Sequence, residues 1–194
     1  MAVTNVLVAG VGGQGVILSS EILALAALAD GMDVKQGEFH GVAQRGGAVF
    51  SHVRFGDQVH SPMTPLGEVD YLLALERLEA LRYAHFVKPG GTVIVNDHKV
   101  EPVRMADVRP YPDEGVDFLA QKGFNVILVP ATAKAIELGN YRAANVILLG
   151  TLAAHLEIPQ SVWEKTLEGR IPTKLLDLNR KAFEVGQGLA PSPV

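Results

Sequence analysis

Residues 37–54 read Gly-Glu-Phe-His-Gly-Val-Ala-Gln-Arg-Gly-Gly-Ala-Val-Phe-Ser-His-Val-Arg, and no other stretch is as rich in groups that can do chemistry. Histidine changes charge near neutral pH and can act as acid, base or phosphate donor. Arginine offers a planar, permanently charged fork for phosphate or carboxylate. Glycines let backbone approach a ligand and turn through positive φ. Ala43-Gln44-Arg45-Gly46-Gly47 can therefore form an anion nest of backbone N–H groups backed by Arg45, with His40 beside it. The competing reading is a wide connecting loop in which Arg45 pairs with Glu38 and His40 caps a turn. Further on, Ser51-His52-Val53-Arg54 alternates, which sets His52 and Arg54 on one face and suggests a sheet edge or an interface.

A second glycine-rich turn lies upstream, at Gly10-Val11-Gly12-Gly13-Gln14-Gly15. It follows an apolar segment and opens a helical one, as a dinucleotide-binding turn does, and a helix N-terminus there favours an anion. The dinucleotide reading also needs an acid for the ribose at the end of the following strand. Asp33 comes too early and Glu38 falls in the loop, so a glycine turn kept for packing, or as a binding surface without NAD, stays open. The histidines show no metal-ligand spacing, and the chain has neither a nucleophile elbow nor a phosphate-binding Walker loop. No catalytic residue and no metal ligand is assigned. Asn96-Asp97-His98 can face a crevice at a strand's carboxyl end, or simply form an Asx turn.

These segments must be held by an alternating framework. Strands are expected at 5–9, 32–36, 48–55, 71–75, 92–96 and 125–130. Helices are expected at 14–29, 76–86, near 114–122, and at 131–138, 141–156, 160–168 and 173–187, with Lys88-Pro89-Gly90-Gly91 as a turn. This pattern predicts one α/β domain over 1–194, a three-layer Rossmann-like fold with a mostly parallel sheet covered by helices on both faces. The helices at 16–29 and around 145–154 are apolar beyond what one buried face needs, so each is either deep core or a subunit interface.

Composition narrows the function. Of 194 residues, 48% are hydrophobic and 20% charged, and the net charge is -4, which offers no overall attraction for nucleic acid. No apolar run approaches the roughly 18 residues of a membrane span. The amino-terminal residues carry no basic region, so no signal peptide is expected and a cytoplasmic setting is. Cysteine is absent, which excludes disulfides, thiolate catalysis and cysteine-held iron–sulfur clusters within this chain.

Taken together, Val8-Ala-Gly-Val-Gly-Gly-Gln-Gly15, His40-Gly-Val-Ala-Gln-Arg-Gly-Gly47 and Ser51-His-Val-Arg54 resemble the small (beta) subunit of indolepyruvate:ferredoxin oxidoreductase. More broadly they resemble the gamma subunit or domain of thiamine-dependent 2-oxoacid:acceptor oxidoreductases. The resemblance implies oxidative decarboxylation of aryl 2-oxoacids to acyl-CoA. A large alpha subunit would hold thiamine diphosphate and the iron–sulfur clusters, ferredoxin would accept electrons, and coenzyme A would be co-substrate. This chain would bind no cofactor tightly and would be inactive alone. Gly12, Gly13, Gln14 and Gly15 would face the partner or an anionic ligand; His40, Gln44, Arg45, Gly46 and Gly47 would lie nearest the shared active site or the coenzyme A phosphates. The alternatives are a free-standing Rossmann-type NAD(P)-binding oxidoreductase and a non-catalytic module of another complex.

Overall fold

The computed structural model describes residues 2–40, 47–101 and 111–190. Its elements follow the order β1 (Thr4–Val11), α1 (Val16–Ala29), β2 (Asp33–His40), β3 (Ala48–Gly56), β4 (Val69–Ala74), α2 (Arg77–Tyr83), β5 (Val87–Asn96), α3 (Gly115–Gln121), β6 (Asn125–Val129), α4 (Ala131–Glu137), α5 (Ala144–Ala153), α6 (Gln160–Arg170) and α7 (Thr173–Leu189). The strands form a six-stranded sheet of order β2-β3-β1-β4-β5-β6. β1, β4, β5 and β6 are mutually parallel, while β3 runs antiparallel to both β1 and β2.

Both faces of the sheet are covered, as the alternation predicts. Along β1, Val6 and Val8 enter a core shared with α1, α4, α5, α6 and α7, whereas Leu7 and Ala9 enter a second core with α2 and α3. Period-two alternation of apolar side chains on a strand buried on both faces produces this division.

The apolar surplus in the two helices has two different origins. Every residue from Asn145 to Ala153 on α5 is buried, because α7 packs over α5 and adds a further helical layer on that face of the sheet. The crossing needs glycine on both sides. A methyl group on Gly150 would run into the Phe183 carbonyl, and one on Gly186 into the Ile147 carbonyl. Thr151 Oγ1 donates to Gly186 O at 2.9 Å in the same contact. On α1, by contrast, Ile17, Leu25 and Leu28 remain 38%, 43% and 57% exposed. The deep-core reading therefore holds for α5, and α1 keeps an uncovered apolar stripe.

The structure departs from the sequence pattern in several places. β2 runs on to His40 and pairs with β3 as an antiparallel hairpin, so Gly37, Glu38 and Phe39 are strand, not loop. α1 starts at Val16, since Gly15 sits at φ 87° in the left-handed region and cannot be helical. Residues 141–143 form a 3₁₀ turn ahead of α5 rather than its first turn. Lys88-Pro89-Gly90-Gly91 lies inside β5 as a bulge: Val69 pairs with Val87, yet Tyr71 pairs with Thr92.

The α5–α7 crossing yields a stability prediction. Gly186→Ala should destabilise the chain by roughly 3 kcal/mol or more, because its methyl meets rigid backbone rather than a side chain that can move. Gly188→Ala, two residues along the same helix with open space around it, should be neutral or slightly stabilising. Thermal melts by circular dichroism compare them.

Candidate functional site

β1 and β4 run parallel, but the sheet is built outward from them in opposite directions. The connection from β1 leads into α1 on one face and outward to β2, whereas the connection from β4 leads into α2 on the other face and on to β5. Adjacent strands whose following loops part in this way leave a crevice at their carboxyl ends, where ligands of open α/β sheets bind. Here a cavity of about 110 Å³ occupies that place, lined by Gly13, Gln14, Leu75, Asn96, His98 and Thr132. Tyr141, Arg142, Asn145 and Leu148 close its other side.

The glycine turn forms one wall. Gln14 Oε1 accepts from Val11 N–H at 2.8 Å, so the side chain fastens the turn to the end of β1 and leaves the amide N–H₂ as its outward end. Gly15 is held by two constraints: its φ of 87°, and the Asn145 side chain, into which any Cβ on Gly15 would run. Asn145 Nδ2 also donates to Gly15 O at 3.3 Å. Residues 12–15 therefore sit at the N-terminus of a 14-residue helix, where unpaired backbone N–H groups favour negative charge.

Gly47, the one described residue of the other glycine-rich segment, meets this wall. Gly12 N–H donates to Gly47 O at 2.9 Å, and Val11 pairs with Ala48 at the start of β3. Gly12, Gly13, Gln14, Gly15 and Gly47 are thereby brought to one end of the sheet. His40 ends β2, paired with Val49. Gln44, Arg45 and Gly46 lie outside the described residues. β3 occupies the position beside β1 that the ribose-binding reading requires for β2. Asp33 is committed elsewhere, accepting from Lys35 Nζ at 2.6 Å and Val59 N–H at 2.7 Å. Glu38 is exposed in β2 and accepts from Gln36 Nε2. Neither acid stands at the glycine turn.

Opposite lie Asn96 and His98, at the strand end where the sequence offered them to a crevice, with Thr132, Tyr141, Arg142 and Asn145, whose roles were not legible in the sequence. Asn96 is 3% exposed and binds across three segments: Nδ2 donates to Leu75 O at 3.1 Å and to Thr132 Oγ1 at 2.9 Å, and Oδ1 accepts from Thr132 N–H at 3.2 Å. Asp97 turns away to pair with Arg77 at 2.5 Å, leaving His98 on the crevice. Tyr141 is 61% exposed. Beside it, Arg142 Nε donates to the Tyr141 hydroxyl at 3.4 Å, and no carboxylate pairs with Arg142 among the described residues. The only sequence signal for Tyr141 and Arg142 is Asn140 as a cap, which accepts from Arg142 N–H at 3.1 Å. No carboxylate occurs among the described lining residues, which supply amide, hydroxyl, imidazole and guanidinium groups. Such a set suits an anion.

Ser51-His52-Val53-Arg54 belongs elsewhere. β3 is an interior strand, so the expected edge is absent. His52 is fully buried, with Phe39, Phe50 and Phe86 ring centres 5.9, 5.8 and 5.3 Å away. Burial, with some help from the Arg54 charge, lowers its pKa to about 4. Arg54 spans to Asn5 Oδ1 at 2.8 Å and to the carbonyls of Ser61 and Met63 at 3.0 and 2.9 Å, which fastens the 57–68 connection to the sheet. Arg54 braces the fold away from the crevice, whereas the ring nitrogens of His52 are buried with no hydrogen-bond partner among the described residues.

The model of the pyruvate ferredoxin/flavodoxin oxidoreductase family matches residues 5–188. A protein of Archaeoglobus fulgidus named indolepyruvate oxidoreductase subunit IorB is 40% identical over 193 residues, covering 97% of this chain and 96% of its own length. Its namesake from Pyrococcus horikoshii is 38% identical over 188 residues, covering 94% of this chain and 93% of its own length. Among solved structures, the gamma subunit of a keto/oxoacid ferredoxin oxidoreductase from Geobacter sulfurreducens superposes with a TM-score of 0.74 at 27% identity, covering 96% of this chain and 98% of that one.

The buried imidazole predicts a pH dependence. Its folded pKa of about 4 lies below the unfolded value near 6.5. The unfolded chain then binds the extra proton between those values, and stability falls as pH drops from 6.5 to 4. His52 should account for about 3 kcal/mol of that loss. Denaturant titrations should show His52→Leu flattening this limb.

Proposed function

The chain belongs to the pyruvate ferredoxin/flavodoxin oxidoreductase family, and from that premise we propose that it is the small, cluster-free subunit of an indolepyruvate (aryl 2-oxoacid):ferredoxin oxidoreductase. The overall reaction joins a 2-oxoacid to coenzyme A, releases CO₂ and a proton, and passes electrons to ferredoxin. The observation that carries this reading is the likeness to relatives named indolepyruvate oxidoreductase subunit IorB along nearly the whole length of both chains.

The residues of this chain favour a supporting part in that reaction. A diphosphate cofactor is ordinarily held through a divalent cation bound by carboxylates. Among the described residues no group of three or more His, Asp or Glu can hold a metal ion, and the crevice lining is neutral or cationic. With no carboxylate among the described residues of the crevice to hold such a cation, the proposal assigns thiamine diphosphate to the large alpha subunit. The iron–sulfur clusters go there too, since this chain has no cysteine to bind them.

Coenzyme A fits better, as an anion carrier. At about 110 Å³ the cavity admits one phosphoryl-sized group, well below the 300–1,000 Å³ that encloses a whole ligand of drug size. The chain would then hold part of the ligand, through the α1 N-terminus, Gln14 and Arg142, and the alpha subunit would cover the rest. The uncovered stripe of Ile17, Leu25 and Leu28 begins in the first turn of α1, directly after the glycine turn, and suits a partner seated on the same side. His40, Gln44, Arg45, Gly46 and Gly47 belong to the rim of this shared site in the proposal.

Co-expression with a large thiamine-binding subunit should give a stable complex that reduces ferredoxin or a viologen with arylpyruvates and coenzyme A, whereas this chain alone turns nothing over. Complete arylpyruvate oxidation by the isolated chain would overturn the proposal. Within the complex, Arg142→Gln should raise the KM for coenzyme A about tenfold, as loss of a charged hydrogen bond predicts, with the KM for the arylpyruvate unchanged. Arg45→Ala should lower turnover and leave the chain folded, checked by steady-state rates beside a thermal melt.

A further inference from the structure

We propose that Thr132 is a ligand-contacting hydrogen-bond donor of the crevice and that Asn96 is the positioning residue that aims it. The inference rests on the reading of the crevice as an anion site and names a recognition element within it.

The orientation of the Asn96 carboxamide is set by its neighbours. Leu75 C=O can only accept and lies 3.1 Å from Nδ2, while Thr132 N–H can only donate and lies 3.2 Å from Oδ1. With those backbone partners in place the amide cannot be turned over, and its Nδ2 also meets Thr132 Oγ1 at 2.9 Å. At that contact the hydroxyl must accept. Its own hydrogen is therefore directed elsewhere, and Thr132, half-buried on the cavity wall, presents it as a donor. The carboxamide itself is 3% exposed and reaches no ligand directly.

The logic matches that of Gln14 on the facing wall, whose Oε1 is occupied by Val11 N–H so that its amide hydrogens remain. Both walls present donors because buried neighbours use their acceptors. The chemical class such a pair selects is an anionic oxygen, phosphoryl or carboxylate.

The test uses the assembled complex and coenzyme A as probe, with affinity measured by isothermal titration calorimetry and stability by thermal melts. Thr132→Val keeps the shape and removes the hydroxyl; it should weaken coenzyme A about 10- to 100-fold. Thr132→Ser should stay within about threefold. Asn96→Leu keeps the bulk without adding charge, removes the amide that holds the hydroxyl as an acceptor, and should weaken binding by up to as much as Thr132→Val. The double variant should bind no worse than Thr132→Val alone, because both changes remove the same donor. A purely structural Asn96 would give effects that multiply in the double variant. Wild-type affinity in Thr132→Val would overturn the inference even if Asn96→Leu fails to fold. Absence of coenzyme A binding to the wild-type complex would instead overturn the crevice reading, and this inference with it.

Discussion

One hydrogen bond, from Gly12 N–H to Gly47 O at 2.9 Å, ties the glycine turn to the entry of β3 at one end of the sheet. It exists because β3 is inserted antiparallel between β1 and β2. In a sheet wound entirely from parallel units, a second strand would lie beside the glycine turn and could offer an acid to a ribose. Here that position belongs to the amino end of β3, which brings backbone in place of a carboxylate. The change converts a turn that resembles a dinucleotide site into one wall of a smaller, donor-lined crevice.

The rest of the crevice follows from how its walls are braced. Asn145 fills the space that a side chain at Gly15 would need, and Asn96 links the ends of β4 and β5 to the start of α4. Both are buried carboxamides with backbone partners, which makes the site largely preformed. Ligand-facing groups set by buried partners lose little freedom on binding. Among the described residues the cavity nevertheless closes around only a small group, and that shortfall is what the proposed partner subunit would make up.

Much of the fold was legible in the sequence because its signals are local. Strand-forming runs such as Asn5 to Ala9, glycine turns and the apolar surplus of α5 depend on neighbours within a few positions. The β2–β3 hairpin was not legible, since Gly37 and Glu38 read as loop by composition and become strand only through pairing with His52 and Ser51. The same limit applies to Lys88–Gly91, where turn chemistry produces a bulge inside β5. For the crevice, the glycine turns and Asn96–His98 announced themselves by type. Thr132, Tyr141, Arg142 and Asn145 did not, because helical spacing carries no mark of a cavity formed by residues far apart in the chain. His52 shows the converse: a polar residue whose alternation suggested a sheet edge or an interface is fully buried and enclosed by phenylalanines.

The central claim is that this chain supplies half of a site that only a partner completes. The most direct measurement is a calorimetric titration of coenzyme A into the isolated chain and into its complex with the large subunit, under identical conditions. The account predicts saturable binding by the complex and at least tenfold weaker binding by the isolated chain. Equal affinity in the two titrations would contradict it.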